Sequence, residues 1–469
     1  MGKSFRTDDL DQGLLLPPSL HDWLPENHMA HFVAEVVKQL DLSAIYESYE
    51  EGDGRGQSAY APAMMVRVLL YGYCRGIYSS RKIQAKTYED VAFRYLAAEE
   101  HPDHSTVAEF RKRHLEALAG LFTQGLRLCQ KAGLVKLGHV ALDGTKMQGN
   151  ASKHKAMSYE RMGETEKRLQ AEVERLLREA EAVDGAEDEK YGKGQGGDEL
   201  PAELARRESR LAKIRAAKAE LEAEARQKAE EKKAAAETKV AERREQETRT
   251  GQKAKGREPE IPDPEQAVPE GKAQRSFTDP DSRIMPDGSR KGSFLQGYNA
   301  QAAVDAEAQV IVAAEVIQET TDNHQLAPML EQVERNVGAK PQAASADSGY
   351  WDPKQIEDAR VQGIDLYVAT GKQKHGKSNV AGEDGLPTPA KPDSLRERMK
   401  QKLQTEGGRN LYRMRKAIVE PVFGQIKEWR GFRRFLLRGW QKVRAEWKLI
   451  CLTHNLLKLF RSGRAFQMT

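Results

Sequence analysis

Cysteine is scarce in this chain of 469 residues: Cys74, Cys129 and Cys451 are the whole complement, far apart and without a CxxC pair. That excludes a disulfide framework and a cysteine-built zinc site, and makes a reducing cytoplasm the expected setting. There is no run of about 18 apolar residues to span a bilayer, and the opening MGKSFRTDDL lacks the charged-then-apolar pattern of a signal peptide, so neither a membrane partner nor export is expected. Net charge of either sign is also small, +4, against 75 basic and 71 acidic residues. A polyanion would therefore respond to where the charges lie rather than to their sum.

The residues that are present divide the chain by texture. Up to about Gly133, apolar residues recur at helical spacing, as in Met64, Met65, Val68 and Leu69 and again in Phe110, Leu115, Leu118, Leu121 and Phe122. Residues 1–134 are expected to form a helical domain. Ser79 and Ser80 open one basic helix, and Ser105 is the expected N-cap of another carrying Arg111, Lys112, Arg113 and His114. Serine-capped basic helices suit a helix-turn-helix-like reader of double-stranded DNA, with Arg111 and Lys112 as candidate contacts, although basic helix residues are more often only a solvated face.

At HVALDGTKMQ the pattern changes to a buried strand, expected to end at Asp143. Residues 155–275 are an insertion after this strand, rich in Glu, Lys, Arg and Ala. Leu169, Val173, Leu176 and Ala180 form one stripe at heptad-like spacing, and Leu204, Leu211, Ile214, Leu221 and Ala225 form another. Gly185 and the run GKGQGG between them predict a turn and a coiled-coil hairpin, the second stripe fading past Arg226 into a linker from about Thr250. Beyond it, YNAQAAVD and AQVIVAAEVI predict an antiparallel hairpin, a helix starts at about Asn323, AASAD is a strand ending in Asp347, and DLYVAT is one more strand. With the insertion removed, residues 135–154 and 276–469 have the element order of an α/β, RNase H-like core with a mixed sheet.

Cleaving a phosphodiester without a covalent protein intermediate is well served by two divalent ions. Magnesium, with manganese as a substitute, takes oxygen ligands and keeps several waters, so two or three carboxylates from different elements suffice. Asp143, Asp347 and Glu420 fit that demand together; singly, each has a bland reading as a turn residue or an ion-pair partner. Asp305, Asp365 and Glu315 are weaker rivals.

Several segments carry a resemblance to a known family: YAPAMMVRVLLYGYCRGIYSSRKI, DHSTVAEFRKRH, ALDGTKMQGNASK, TDPDSRIMPDGSRKGSFLQGYNAQAAVD, ADSGYW and YRMRKAIVEPVFGQIKEWRGFRRF. The chain resembles the DDE transposases of bacterial insertion sequences, specifically the insertion sequence 1182 group, related to the insertion sequence 4 and 5 types. The resemblance implies an RNase H-like catalytic core in which Asp143, Asp347 and Glu420 bind two magnesium ions, and a Tyr, Arg, Glu and Lys signature at Tyr412, Arg415, Glu420 and Lys427. Arg415 lies one residue further from Glu420 than the family spacing, while Lys416 has the expected separation, so both stand as candidates for the phosphate contact. Lys427 lies two helical turns beyond Glu420, with a solvated lysine as the bland alternative.

From Gln401 onward basic residues far outnumber acidic ones, and Arg430, Arg433 and Arg434 interleave with Trp429, Phe432 and Phe435. Such a stretch attracts a DNA backbone, while most of its aromatics are expected in the core. His454 lies in an apolar helical stripe and reads as a packing residue. The function expected is a bacterial enzyme, nucleoid-associated when on DNA and at least a homodimer there. It would cleave the ends of an insertion sequence and join each freed 3′-OH to target DNA. A stand-alone nuclease on the same core, or a DNA-binding scaffold derived from a transposase, are the alternatives. The TDPDSRIM block has no chemical reading from sequence beyond turns and ion pairing.

Overall fold

The computed structural model describes residues 19–50, 59–152, 155–191, 202–250, 259–287, 292–371 and 394–464. The chain divides into two units, Met1–Met147 with Asn299–Thr469, and Gln148–Tyr298.

The first unit begins with seven helices: α1 (Met29–Gln39), α2 (Ser43–Glu50), α3 (Pro62–Cys74), α4 (Ser80–Glu89), α5 (Val91–Ala97), α6 (His104–Arg113) and α7 (Leu115–Lys131). Pro62 opens α3, where its missing N–H costs nothing, and nearly every side chain of that helix is buried. Ser105 is not the cap of α6. Asp103 is, its carboxylate accepting from Ser105 N at 2.7 Å, because it stands just outside the first helical residue, where a side-chain oxygen reaches the free N–H groups of the first turn.

Strand β1 (His139–Gln148) comes next. It is longer than the sequence suggests, so Asp143 lies in its middle rather than at its end. In the second unit come β2 (Ala156–Ser158), α8 (Tyr159–Tyr191), α9 (Ala202–Thr250), β3 (Gln274–Ser276) and β4 (Arg283–Pro286). Strand β5 (Phe294–Asp305) runs from the second unit back into the first, which continues with β6 (Ile311–Ile317), α10 (Leu326–Val337), β7 (Ala343–Ala346), α11 (Pro353–Ile356) and β8 (Asp365–Val368). Helices α12 (Leu395–Gln404), α13 (Glu406–Gly424) and α14 (Trp440–Ser462) end it.

The sheet of the first unit runs β6, β5, β1, β7, β8. Strands β1, β7 and β8 are parallel. β6 is antiparallel to β5, and the bond from Ala306 N to His139 O at 3.0 Å lies where β5 meets the start of β1. The parallel strands are the fully apolar VAL and AASA segments, as expected where helices cover both faces. Helix α14, packed against α7 and β6, is buried without a break from Leu449 to Leu457. Asn455 on it gives Ile311 of β6 both bonds of a strand neighbour, Nδ2 to Ile311 O and Ile311 N to Oδ1, each 2.8 Å. His454 is a packing residue in the same core, its Nε2 3.0 Å from Gln309 O.

In the second unit, α8 and α9 pack antiparallel through Met162, Leu169, Leu211, Ile214, Ala217 and Leu221. Ion pairs of Glu166 with Arg215 and Lys218, both 3.0 Å, and of Glu172 with Arg207, 2.8 Å, fix the register. Gly185 is helical, so it makes no turn, and α9 continues to Thr250, well past Arg226, because alanine and long charged side chains sustain a helix without an apolar stripe. The GKGQGG run and the side chains of Ala180 and Leu204 lie outside the described residues. The TDPDSRIM block is structural: Asp279 is fully buried, accepting from Tyr298 Oη at 2.8 Å, while Arg283 donates to Glu224 of α9 at 2.9 Å.

Candidate active site

The parallel register builds the site. Leu142 pairs with Ala346 as the last partners of β1 and β7, so the next residues on each strand, Asp143 and Asp347, stand side by side. At the strand spacing of about 4.8 Å, two carboxylates meet where the neighbouring strand ends. Asp347 also caps the short turn Ser348–Tyr350, accepting from Gly349 N at 2.8 Å.

Helix α13 supplies the countercharge. Arg415, only 8% exposed, holds Asp143 Oδ2 at 3.2 Å, its guanidinium 5.8 Å from the centre of the Tyr412 ring. Burial pushes the Asp143 carboxyl up to about 6; Arg415 opposes that rise, and the carboxylates of Asp347 and Asp322 add to it. Pro421 sits inside α13 and has no N–H for Ala417 O, which instead accepts from Gln309 Nε2 at 2.9 Å. The helix then widens into a π-turn over Gln425–Trp429. This turn brings Lys427 onto β1, where Nζ donates to Thr145 Oγ1 at 2.7 Å and Lys146 O at 2.9 Å, two and three residues past Asp143.

The other predicted residues are placed differently. Glu420 and Lys416 are exposed on α13. Among the described residues, no three His, Cys, Asp or Glu side chains are grouped as a metal's ligands. Arg430 is 3% exposed, donating to Thr453 Oγ1 at 2.8 Å and Ile450 O at 3.2 Å, and burial lowers its guanidinium to about 10. Arg111 is 6% exposed and donates to Tyr73 Oη and Tyr78 O at 3.1 and 2.9 Å. Both arginines are buried, and these bonds of each go to groups inside the protein. Lys112, Arg433 and Arg434 are exposed, Lys112 beside Glu109 at 3.5 Å and Arg433 paired with Glu428. The three rival acids are engaged elsewhere: Asp305 with backbone N–H groups, Asp365 with Tyr367 and Lys402, Glu315 with Arg444.

Sequence reasoning missed Asp322. Its Oδ1 accepts from Asn299 Nδ2 at 2.6 Å and Gln301 Nε2 at 2.7 Å, with Lys146 Nζ at 3.6 Å. Its one legible signal was an acidic residue just before a helix, the common look of a cap. Gly144 lets this cluster close, since a Cβ there would stand 2.4 Å from Gln301 Nε2 and 2.7 Å from Asp322 Oδ1. A divalent cation suits this donor set: Asp143 and Asp347 are hard oxygen ligands, and the buried Asn299 Oδ1 accepts no hydrogen bond from the described residues.

A family model described as Transposase DDE domain matches residues 222–456, and one described as Transposase domain (DUF772) matches residues 18–113. No curated protein and no solved structure matches the chain. The longer match starts within α9, so it takes in Asp322, Asp347, Glu420 and Lys427 but not Asp143.

Proposed function

Because this chain belongs to the transposase DDE domain family, we propose that it is the transposase of an insertion sequence of the 1182 group, an enzyme that binds the element's ends, cleaves them and joins each freed 3′-OH to target DNA. The observation that carries this reading is the register that sets Asp143 beside Asp347. A strand order of β6, β5, β1, β7, β8, with one acid within β1 and the other just past the end of the adjacent parallel β7, supports an RNase H-like core. Glu420, on the helix that carries Arg415, is the proposed third acid.

Asp143 and Asp347 would hold the divalent ions, magnesium with manganese as a substitute. When bound, the pair supplies water activation and steadies the leaving oxygen. The chain's own groups do the rest. Arg415 neutralises Asp143 in the absence of a cation, and its buried Nε has no acceptor among the described residues, so a scissile phosphate offers what the protein does not. Lys427, anchored on β1, sets positive charge beside the same strand. Exposed Lys112, Lys416, Arg433 and Arg434 are proposed to meet the DNA backbone. Two ends must be joined in concert, which calls for at least a dimer on DNA.

The test is a cleavage and strand-transfer assay on DNA carrying the element ends, with Mg²⁺ or Mn²⁺, comparing the natural chain with Asp347→Asn. Loss of both products with DNA binding kept is expected. Undiminished products from the variant would reject the role of the acids.

A further inference from the structure

We propose that Asp322 is a further cation-binding carboxylate of this site, acting with Asp347 in the space beside Gly349 and with Asn299 Oδ1 as a neutral oxygen donor close by. The inference rests on the metal-dependent reading above and adds a residue to it.

The orientation of Asp322 carries the argument. All its donors, Asn299 Nδ2, Gln301 Nε2 and Lys146 Nζ, converge on Oδ1. Oδ2 accepts no hydrogen bond from the described residues, although the side chain is only 19% exposed. That oxygen shares the surroundings of Gly349 with the second acid: the position a Cβ would take there is 3.2 Å from Asp322 Oδ2 and 3.0 Å from Asp347 Oδ1, which accepts from Gly349 N. Neither glycine has a side chain to fill the gap, and a Cβ at Gly144 would meet Asp322 Oδ1 at 2.7 Å and Asn299 Oδ1 at 2.9 Å.

Asn299 is the independent observation. The side chain is fully buried, and its amide orientation is set because Nδ2 must face the Asp322 carboxylate and Glu319 O. Its Oδ1 is thereby turned toward Gly144 with no donor among the described residues. A buried carbonyl oxygen without a donor is costly, and a hard cation is a ligand that would satisfy it.

The experiment is a Mn²⁺ titration of the full DNA-free chain, with free Mn²⁺ read by electron paramagnetic resonance, on the natural protein, Asp322→Asn and Asp347→Asn, with metal-free melting recorded for each. Asp322→Asn keeps the volume and an acceptor for Asn299 and Gln301. It is expected to weaken Mn²⁺ binding at least about tenfold, the scale of losing one charged ligand, with the metal-free melting temperature kept. Should it fail to fold, Asp322→Ser is the second variant and must weaken binding likewise. Natural affinity in the Asp322 variants with weakened binding in Asp347→Asn overturns the role of Asp322 and leaves that of Asp347. Absence of saturable Mn²⁺ binding by the natural chain overturns both.

Discussion

Arginine residues that look alike in sequence have opposite fates here. Arg430 is buried against α14, and Arg434, four residues on, is exposed. Arg430→Ala would leave a cavity and strip Ile450 O and Thr453 Oγ1 of a donor, a cost of about 2–4 kcal/mol. Arg434→Ala should reduce the salt dependence of DNA binding by about one unit of slope. Thermal melting checks the first and binding at several salt concentrations the second; no melting loss at Arg430, or an unchanged salt slope at Arg434, contradicts the assignment. His139 makes a pH prediction. Burial lowers its imidazole to about 4, and Nε2 is 2.7 Å from Ser345 Oγ. An unfolded histidine takes up its proton near about 6.5, so the unfolded state binds more protons between those values. The stabilisation is thus present above about 6.5 and is lost as pH falls toward about 4, on the order of 2–3 kcal/mol. His139→Gln, which retains a donor for Ser345, should flatten that acid limb in melting curves taken at neutral and acidic pH.

Among the elements, α13 and its π-turn decide where charge reaches β1. The Pro421 ring removes one helix bond, Gln309 takes up the freed Ala417 carbonyl, and the widened turn places Lys427 on Thr145. Pro421→Ala restores the N–H and competes with Gln309 for the same carbonyl. The expected result is stability within about 1 kcal/mol of the natural chain, since a gained helix bond offsets a lost side-chain bond. Cleavage should fall about tenfold or more, because a small displacement of Lys427 misplaces a group that must be held closely. Natural cleavage rates in the variant would detach the kink from function. The Pro421 punctuation is visible in the sequence; the carbonyl it frees, and the Gln309 that accepts the task, are more than a hundred residues apart and are not.

For the whole molecule, the second unit departs from and returns to neighbouring points of one sheet. β1 carries the chain out of the first unit at Met147 and β5 brings it back at Asn299, and Gly149 N donates to Gln296 O at 2.9 Å just beyond that junction. Antiparallel strands can be joined by a two-residue turn. Replacing Gln148–Gly297 by Asn-Gly, which keeps the register that faces Met147 with Tyr298, should therefore leave the first unit folded, with a cooperative melting transition and amide protection in β1, β7 and α14. A molten product without protected amides would show that the second unit is needed for folding.

Local chemistry by itself determined the elements that bear the site. VAL and AASA read as buried strands, so Asp143 and Asp347 are located by the apolar runs before them, while Arg415 and Lys427 are marked by the family resemblance. The stripes of Leu169 and Leu211 likewise foretell α8 and α9, because helical periodicity is written in consecutive residues. Tertiary structure alone decided which groups meet. The parallel register puts Asp143 beside Asp347, the sheet order brings Asn299 and Gln301 against Asp322, and burial withdraws Arg111 and Arg430 from solvent while leaving Glu420 outside. Those outcomes depend on contacts between segments as much as 272 residues apart, as between Asp143 and Arg415, and no local pattern records them.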